Sequence, residues 1–493
     1  MRNNRTKEKR TLNLTNKERM NLPHQEMLLL EPEERICSFD EVPIGYNHEQ
    51  AVMEASRCLQ CRKPECIKAC PVGIDIPAFI RLIEQGKPAE AAKKIRETNF
   101  LPAACGRVCP QDQQCQAVCV VGRRNLPVGI GDLERYAADY ERKYKTVEYP
   151  DIPEDTGKKV AIVGSGPAGL SAAYELRIRG HEVVVFEAFH RAGGVLVYGI
   201  PRFRLPLDII DEDIKYLENL GVEFVYNMII GKVLTLDDLL GPEEFDVVFI
   251  GTGAGLPRLL DIPGANANGV YSANEYLTRI YLMEADKFPK FATPLYQGKK
   301  VAVIGAGNTA MDSMRTAKRL GADVTCYYRR SIDEAPARSE ELKHAQQEMI
   351  EWKWLSNPVE FIVNEDNFIT HIKCEKMELS EPDESGRRVP VPTGEFFTDE
   401  CDTVVMSLGC SVNPILPSTD HEIKINDWGV ITVDGETCET SKKGVFAGGD
   451  AITGGSTVIL AMGQAKIAAA SIHKYLMGEE AVEVEVEEKE LVK

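Results

Sequence analysis

The sequence lacks several features that would direct the protein to a membrane, a secretory route or nucleic acid. No apolar run approaches the roughly 20 residues that a membrane-spanning helix needs. The first residues, MRNNRTKEKR, are basic, but the apolar core of a signal peptide does not follow them. A basic excess is missing too, since the 493 residues carry a formal net charge of −18, which argues against nucleic acid as a partner. We therefore expect a cytoplasmic protein that binds neither nucleic acid nor a membrane.

Cysteine is absent from a long central stretch, because none of the fourteen cysteines lies between Cys119 and Cys326. Eight of them fall instead between Cys58 and Cys119. Disulfides do not explain this density in a cytoplasmic chain, and metal ligation is the better interpretation. The first run is Cys58-x2-Cys61-x4-Cys66-x3-Cys70-Pro71, and the second contains Cys105, Cys109, Cys115 and Cys119.

The spacing of these runs favours iron–sulfur clusters over the alternatives of zinc or structural thiols. Zinc sites usually repeat C-x2-C pairs, whereas a run that closes on Cys-Pro is close to that of two-cluster ferredoxins, whose last cysteine ligates the other cluster. We predict two 4Fe–4S clusters with crossed ligation. One cluster is expected on Cys58, Cys61, Cys66 and Cys119. The other is expected on Cys70, Cys109 and Cys115 with a fourth ligand still open, for which residue type suggests Cys105.

A dinucleotide-binding fingerprint occupies Val160–Glu187, VAIVGSGPAGLSAAYELRIRGHEVVVFE. Its apolar start predicts a buried strand, and a run with helical period follows the glycine turn. The three glycines permit the turn, the approach of a pyrophosphate and close packing of helix on strand. An acid 18 residues beyond the third glycine can accept from the hydroxyls of an adenosine ribose. The predicted contacts are Gly164, Gly166, Pro167, Ala168, Gly169 and Glu187.

A second fingerprint, Val301–Arg330, differs from the first where the ribose acid would stand. Tyr328 is as far from the first glycine of this fingerprint, Gly305, as Glu187 is from Gly164, and two arginines follow Tyr328 directly. A carboxylate there would repel a 2′-phosphate, whereas guanidinium groups pair with it. We therefore predict NADPH rather than NADH, the alternative being an ordinary surface pair of arginines. The predicted contacts are Gly305, Gly307, Asn308, Thr309, Ala310, Arg329 and Arg330.

Two more buried strands, in Phe245–Gly255 and Cys401–Ser411, each follow one fingerprint and are predicted to close a separate dinucleotide fold. The segment Gly444–Leu476 then supplies a strand, an acid and a long helix that begins near Ser456. The N-terminus of that helix would favour the negative charge of a reduced flavin. The contacts predicted from these segments are Gly251, Thr252, Gly253, Gly449, Asp450, Ser456, Thr457 and Val458.

The chain resembles the glutamate synthase small-subunit family over nearly its whole length beyond residue 30. The resemblance rests on RCLQCRKPECIKACPVGIDIP, CGRVCP, IGDLERYAADY, VGSGPAGLSAAYEL, GGVLVYGIPRFRLP, VIGAGNTAMD, YYRRS and GSTVILAMGQAK. This family includes the small subunit of NADPH-dependent glutamate synthase. It also includes the large subunit of NADH-dependent reduced ferredoxin:NADP oxidoreductase, an electron-bifurcating enzyme.

The resemblance implies FAD at the first fingerprint, NADPH at the second, and two 4Fe–4S clusters in the N-terminal region. It places Gly193, Gly194 and Arg204 against the flavin or its phosphates. Some relatives use a non-cysteine cluster ligand at the position of Glu134, so Glu134 and Cys105 compete, and the resemblance favours Glu134. The cysteine pair of disulfide reductases is missing after Gly193 and Gly194, which excludes thiol–disulfide exchange there.

The expected fold is α/β, with two Rossmann-like dinucleotide-binding domains behind an α-helical iron–sulfur domain. We predict the iron–sulfur domain at residues 1–150, a discontinuous FAD domain at 151–290 and 401–493, and the NADPH domain at 291–400. Residues 1–30 are predicted to be a flexible arm or a strap. A hairpin tip is expected at EPDESGRR, and an edge strand or a frayed terminus at AVEVEVEEKELVK.

The expected function is hydride exchange between NADP(H) and FAD, with single electrons passed through the clusters. We favour the bifurcating subunit of a ferredoxin:NADP transhydrogenase, paired with a smaller flavoprotein that binds NAD and a 2Fe–2S cluster. The alternative is the small subunit of glutamate synthase, which feeds a large catalytic chain. A cluster-bearing scaffold with a regulatory nucleotide site is a third hypothesis, and the intact second fingerprint argues against it. No acid–base residue is needed, since the cofactors carry the chemistry.

Overall fold

The computed structural model describes residues 14–383 and 388–478. Its helices are α1 Asn16–Asn21, α2 Pro32–Arg35, α3 His48–Ala55, α4 Glu65–Lys68, α5 Ile76–Glu84, α6 Pro88–Arg96, α7 Pro102–Val108, α8 Ile130–Tyr144, α9 Pro167–Arg177, α10 Val195–Tyr198, α11 Leu207–Asn219, α12 Leu236–Leu240, α13 Ala273–Tyr281, α14 Asn308–Arg319, α15 Ser339–Gln347, α16 Ile415–Thr419, α17 Asp450–Thr453 and α18 Val458–Met477. Its strands are β1 Leu28–Leu29, β2 Pro43–Gly45, β3 Lys159–Val163, β4 Glu182–Phe186, β5 Glu223–Val225, β6 Val247–Ile250, β7 Leu256–Pro257, β8 Val270–Ser272, β9 Lys300–Ile304, β10 Asp323–Tyr328, β11 Glu351–Trp354, β12 Ser356–Val363, β13 Ile369–Leu379, β14 Pro390–Glu400, β15 Thr403–Met406, β16 Cys410–Ser411 and β17 Val445–Ala447.

The first parallel sheet has the strand order β17-β6-β3-β4-β5. Its central strand places Val160 opposite Val183 of β4 and Val247 of β6. The three inner strands are apolar and almost wholly buried, as expected for a parallel sheet covered by helices. Helices α9 and α18 pack against each other and share one core with this sheet. Because β17 and α18 come from the end of the chain, the unit is discontinuous in sequence, as predicted.

The second parallel sheet has the order β11-β10-β9-β15-β8. Val404 of β15 lies opposite Ala302 of β9 on one side and Val270 of β8 on the other. The second unit therefore includes one strand before the predicted boundary at residue 290 and one after the boundary at residue 400. The structure differs from the predicted domain boundaries here because a short apolar strand such as β8 suits either parallel sheet. Only the assembled fold decides which sheet edge such a strand joins.

A three-stranded antiparallel sheet, β12-β13-β14, packs on the second parallel sheet. Phe361, Ile372 and Cys374 point from it into a core shared with Ala302 and Val404. Strands β13 and β14 pair as an antiparallel hairpin on either side of the predicted tip, EPDESGRR, of which residues 384–387 lie outside the described residues. The predicted acidic tail, residues 481–493, lies outside them as well.

The N-terminal region is helical, and its helices follow from local sequence. In α5, the Asp75 carboxylate caps the helix by accepting from the Ala78 N–H over 3.3 Å. Its apolar side chains recur at helical spacing and are buried, namely Ile76, Phe79, Ile80 and Ile83. They belong to the same core as α9 and α18. The described part of the predicted N-terminal arm is a strap, since Arg19 Nη1 donates to the Ser56 carbonyl over 2.9 Å.

Candidate functional site

The first glycine turn joins β3 to α9, and of its three glycines only Gly166 borders open space. A Cβ on Gly164 would lie 2.7 Å from the Gly251 carbonyl oxygen, and a Cβ on Gly169 would lie 1.9 Å from the Gly164 carbonyl oxygen. A Cβ on Gly166 would meet nothing within 4 Å. The space above Gly166 is thus open to a ligand, while the other two glycines serve chain packing.

The N-terminus of α9 presents hydrogen-bond donors to this space. Gly166 is its N-cap and provides no capping side chain, so the first-turn N–H groups keep their donors for a ligand. Helix α13 shows the contrast, since the Ser272 side chain caps its first turn. A pyrophosphate matches these donors in charge and in geometry. The residues present therefore fit the phosphate portion of a dinucleotide.

Glu187 follows β4 and is buried beside the turn. Its carboxylate accepts from the Ser165 N–H over 3.0 Å and from the Phe189 N–H over 2.9 Å, and the Ser165 hydroxyl bonds to it as well. The same hydroxyl accepts from the Gly193 N–H over 3.0 Å. A Cβ on Gly194 would lie 2.6 Å from the Gly166 Cα. The structure thus brings Glu187, Gly193 and Gly194 to the first turn.

The C-terminal segment closes the same site from the other side. A Cβ on Gly449 would lie 2.8 Å from the Ala168 Cβ, so the turn before α17 touches α9. The Asp450 carboxylate accepts from the Ser456 N–H over 3.1 Å and from its hydroxyl over 2.6 Å. Helix α18 then starts behind an N-cap at Thr457. Gly251 packs on Gly169, with Thr252 and Gly253 following at the end of β6.

The second glycine turn repeats this construction between β9 and α14. A Cβ on Gly305 would lie 2.4 Å from the Ser407 carbonyl oxygen, whereas Gly307 has no neighbour closer than Pro336 Cγ at 3.8 Å. Gly307 is the N-cap of α14 and again supplies no capping side chain. Ala310, in the place of the third glycine, is fully buried. This turn fits a second pyrophosphate by the same criteria.

The two arginines predicted to select the 2′-phosphate lie directly after β10. Arg329 is exposed and Arg330 is half-buried. Arg330 Nε donates to the Arg388 carbonyl over 3.2 Å, and Arg388 Nη2 pairs with Glu334 at 2.6 Å. The sequence did not identify Arg388 as a neighbour of this site, because its proximity depends on the β13–β14 hairpin folding back onto this turn.

The first cysteine group consists of Cys58, Cys61, Cys66 and Cys119. All four line one cavity of about 430 Å³, which is walled by apolar side chains such as Ile80 and Val128. Burial raises the pKa of the Cys66 thiol to about 12, and the neighbouring Cys58, Cys119 and Cys61 thiols add to the effect. Two residues far apart in sequence, Cys61 and Cys119, thereby meet at one site.

The second cysteine group consists of Cys70, Cys105, Cys109 and Cys115, together with Glu134. Burial raises the pKa of the Cys115 thiol, as do the nearby Glu134, Cys109, Cys70 and Cys66. Burial also raises the pKa of the Glu134 carboxyl to about 8, although the Asn99 amide donates to it over 2.7 Å. The Cys105 thiol contacts Asn99 Oδ1 at 3.7 Å and Met462 Sδ at 3.6 Å.

A single metal ion does not explain these groups. In residues 14–383 and 388–478, no three His, Cys, Asp or Glu side chains converge as one ion requires. Each cysteine of a 4Fe–4S cluster binds a different iron atom, so its ligands surround a larger volume than ligands that share one ion at about 2.3 Å. Thiols that line one cavity without converging on a single point therefore fit a cluster better than zinc.

The second cysteine group lies against the helix that closes the first nucleotide site. Met462 of α18 touches Cys105, and a Cβ on Gly463 would lie 2.8 Å from the carbonyl oxygen of Pro71, next to Cys70. The interaction between Cys115 and Cys66 links the second group to the first. Sequence reasoning missed Met462 and Asn99, since no motif marks a contact made across the fold.

Arg204 lies away from the first glycine turn, at the junction of the two nucleotide units. Its Nη1 pairs with Asp312 at 2.7 Å and its Nε with Glu341 at 3.2 Å. Both carboxylates belong to the second unit, on α14 and α15. Its predicted contact with the flavin stays a prediction, and the geometry gives Arg204 the additional role of fixing one unit to the other.

Comparison with known proteins gives two family matches. Residues 35–146 match the family described as dihydropyrimidine dehydrogenase domain II, 4Fe-4S cluster. Residues 158–465 match the family described as pyridine nucleotide-disulphide oxidoreductase. No helix in the described part of the chain is long and apolar enough to cross a membrane.

Individual relatives extend these matches. The chain is 35% identical to the glutamate synthase [NADPH] small chain of Azospirillum brasilense over 449 residues, 90% of this chain and 92% of that one. It is 39% identical to the NADP(+)-dependent formate dehydrogenase subunit beta of Moorella thermoacetica, over 83% of this chain and 60% of that one. FprA of Mycobacterium tuberculosis in complex with NADPH has a similar fold, with a TM-score of 0.54 and 19% identity over 65% of this chain and 85% of that one.

Proposed function

The chain belongs to the glutamate synthase small-chain family of NADPH-dependent FAD and iron–sulfur oxidoreductases, and from that premise we propose that it delivers electrons to a partner chain one at a time. FAD fits the first glycine turn and NADP(H) the second. When bound, these cofactors supply hydride exchange, and two 4Fe–4S clusters supply one-electron transfer. The number of clusters and the partner are the proposed parts.

The observation that carries the proposal is the position of α18. This helix forms part of the first nucleotide site and also touches Cys105 and the Pro71 carbonyl that follows Cys70. The second cysteine group is therefore next to the flavin site, and the first group lies beyond it. In the second group Cys105, Cys109 and Cys115 are buried and only Cys70 is partly exposed, whereas all four cysteines of the first group are partly exposed. This order supports a path from the flavin to the surface.

The chain's own residues would position the cofactors when these are bound. The uncapped N-termini of α9 and α14 would hold the two pyrophosphates. Glu187 would accept from the adenosine ribose in the first site, and Arg329 and Arg330 would pair with the 2′-phosphate in the second. The absence of cysteine between Cys119 and Cys326 leaves the cysteine groups of the N-terminal region as the route for electrons.

The nucleotide preference tests the proposal directly. Replacing Arg329 and Arg330 by alanine removes two charge-assisted contacts, each of about 1.5–3 kcal/mol, so the KM for NADPH should rise at least about tenfold. The KM for NADH should not change. Anaerobic flavin bleaching by either nucleotide gives the measurement, and Arg279→Ala, which removes a half-buried arginine on α13, is the matched control. Equal losses with NADPH and NADH would refute the assignment.

We propose Glu134, rather than Cys105, as the fourth ligand of the second cluster. Glu134 is among the charged neighbours of Cys115, at the position where the family resemblance implies a non-cysteine ligand. The Cys105 thiol interacts with Cys109 as well as with Asn99 and Met462, so it is the competing ligand. Glu134→Ala should lower the iron content from about eight to about four atoms per chain. Cys105→Ser, of nearly equal size, should leave it unchanged. The reverse pattern would assign the ligand to Cys105.

The identity of the partner chain decides between two more specific functions. We propose the bifurcating subunit of a ferredoxin:NADP transhydrogenase, bound to a smaller flavoprotein with NAD and a 2Fe–2S cluster. In that complex, ferredoxin reduction by NADPH should require NAD⁺ as a simultaneous acceptor. The alternative, the small subunit of NADPH-dependent glutamate synthase, is supported by the 35% identity over 92% of that relative. Purification of the native complex separates them, because the alternative requires a large catalytic chain and no NAD⁺.

We propose that the electron acceptor docks at the rim of the first cysteine group. Arg62, Lys63, Arg123 and Arg124 are exposed and flank Cys61 and Cys119. They form a basic rim on a chain whose net charge is −18, which suits an acidic carrier such as ferredoxin. Reversing Arg123 and Arg124 to glutamate should slow its reduction about tenfold at low salt, and high salt should abolish the difference. Lys443→Glu reverses an exposed charge next to β17 of the first parallel sheet and should have no effect.

We also propose that the protein acts in the cytoplasm. None of the fourteen cysteines, all of which lie in the described residues, forms a disulfide, a state that the reducing cytoplasm maintains. Cluster ligation and NADPH chemistry both fit that compartment. Fractionation of the native cells, with enzyme activity assayed in each fraction, provides the measurement.

A further inference from the structure

We propose that Arg338 is a positioning residue that couples NADP(H) binding to the reduction potential of the cluster held by the second cysteine group. The inference rests on the proposed function, since it requires both NADP(H) in the second site and a cluster on those cysteines. It concerns residues 329–339, which we call the connecting segment. This segment begins at the arginines that face the 2′-phosphate and ends against the iron–sulfur domain.

The first half of the connecting segment is rigid. Ser331 caps a short turn with Glu334, whose carboxylate accepts from the Ser331 N–H over 3.1 Å and from its hydroxyl over 2.6 Å. The Tyr328 hydroxyl donates to the Glu334 carbonyl over 2.9 Å. Arg388 Nε donates to the Glu334 carboxylate over 2.7 Å. A displacement of Arg329 or Arg330 is therefore transmitted along the segment and is not absorbed within it.

The second half touches the phosphate-binding turn. Pro336 Cγ lies 3.8 Å from the position of a Cβ on Gly307, so it borders the space kept open for the pyrophosphate. The Arg338 N–H donates to Asn308 Oδ1 over 2.9 Å, and Asn308 is the first residue of α14. The backbone of Arg338 is thus bonded to a residue of the nucleotide site.

The Arg338 side chain leaves the nucleotide site and enters the iron–sulfur domain. Its Nη1 donates to the Arg107 carbonyl over 2.9 Å, midway between Cys105 and Cys109 on the chain. The next residue, Ser339, donates its hydroxyl to the Asp112 carboxylate over 2.8 Å, between Cys109 and Cys115. Two adjacent residues of the nucleotide unit therefore hold both sides of the Cys109 loop.

The guanidinium also acts on the site by charge. Its hydrogen bond to the Arg107 carbonyl holds a positive charge two residues before Cys109. Glu340 pairs with Arg338 at 2.7 Å but is itself more than a third exposed, so water screens its charge. A positive charge held next to a cluster favours the state with one more electron. Nucleotide binding that fixes Arg338 in place should therefore raise the reduction potential of this cluster.

Because of thermodynamic linkage, a change in the reduction potential on nucleotide binding must appear as an equal change in nucleotide affinity on reduction of the cluster, which can be measured. The dissociation constant of 2′-phospho-ADP-ribose, which keeps the pyrophosphate and 2′-phosphate of NADP⁺ but has no nicotinamide to accept a hydride, is measured by calorimetry for the holoprotein, oxidised and again with its clusters reduced. We expect the reduced protein to bind this analogue about tenfold more tightly, and the potential of one EPR-detected cluster to rise by about 59 mV when the analogue is present. Arg338→Met should bring both effects to zero, and Arg338→Lys should preserve most of them. Lys343→Met, an exposed charge on α15, should behave as the wild type.

Failure of this inference is distinguishable from failure of the proposed function. A chain without iron, or without NADP⁺ binding, refutes the function itself. In a chain that holds iron and binds the nucleotide, two results overturn the coupling alone. One is a nucleotide affinity that does not depend on the oxidation state of the cluster, and the other is an Arg338→Met variant that keeps the full effect. Should Arg338→Met fail to incorporate iron, Arg338→Gln, which keeps a donor for the Arg107 carbonyl but removes the charge, takes its place. An unchanged affinity ratio in that variant overturns the proposal as well.

Discussion

Replacing Gly166 by alanine is expected to abolish FAD retention while leaving the apo-protein folded. Nothing lies within 4 Å of the position its Cβ would take, and its backbone conformation is open to any residue. The added methyl group would occupy the space that the pyrophosphate needs. Loss of one or two hydrogen bonds from α9 to a charged phosphate, at about 1.5–3 kcal/mol each, lowers FAD affinity by about tenfold to 10⁴-fold.

Gly169→Ala provides the matched comparison, since it adds the same atom one turn later. Its Cβ would lie 1.9 Å from the Gly164 carbonyl oxygen, so strand and helix must separate. We expect a loss of about 1–3 kcal/mol or more in the free energy of unfolding, whether or not FAD is bound. Flavin absorbance per chain after gel filtration, together with the melting temperature of the apo-protein, distinguishes the two variants. Stoichiometric FAD in Gly166→Ala would contradict the assignment of this turn.

Replacing Glu348 by alanine is expected to lower the free energy of unfolding by about 3–5 kcal/mol. Its carboxylate bonds Arg315 at 2.8 Å and Arg319 at 2.6 Å, and none of the three side chains is exposed. Both guanidinium groups stack on Phe203, with the Arg319 Cζ atom 3.8 Å from the ring centroid. Phe203 belongs to the first nucleotide unit and Glu348 to the second. Without the carboxylate, two buried cations at this junction lose their shared partner.

The pH dependence of this effect has a defined sign. Burial works against ionisation of Glu348, but Arg315 and Arg319 outweigh it and hold the pKa below its ordinary value. A carboxyl with a lowered folded-state pKa stabilises the protein above its unfolded-state pKa of about 4.3, and the contribution is lost as the pH falls through the folded value. The difference in urea unfolding between wild type and Glu348→Gln should therefore shrink below about pH 4.

An exposed ion pair provides the control for this prediction. Lys300 and Glu400 bridge β9 and β14 on the surface, with side chains 52% and 65% exposed. Glu400→Ala should leave urea unfolding unchanged at neutral pH, since water screens such a pair. If Glu348→Ala were equally neutral, the arginines would have found other partners, and the two units would be joined mainly by their apolar contacts.

The sequence by itself determined the chemistry of both nucleotide sites, because a glycine turn depends on its immediate neighbours. Gly164 and Gly305 have φ values of +98° and +121°, a conformation that favours glycine wherever the turn occurs. The uncapped helix starts follow from the same few residues. The two cysteine runs were visible for the same reason, since their spacing is local.

Only the tertiary structure decided which distant residues meet. It paired Arg204 with Asp312, directed Arg338 to the Arg107 carbonyl, and set Met462 against Cys105. It also assigned β8 to the second sheet. Each of these contacts joins residues that are far apart in the chain, and many side chains of equal polarity compete for every such place. Backbone geometry follows from neighbours, whereas the choice among equivalent partners follows from the packing of the whole core.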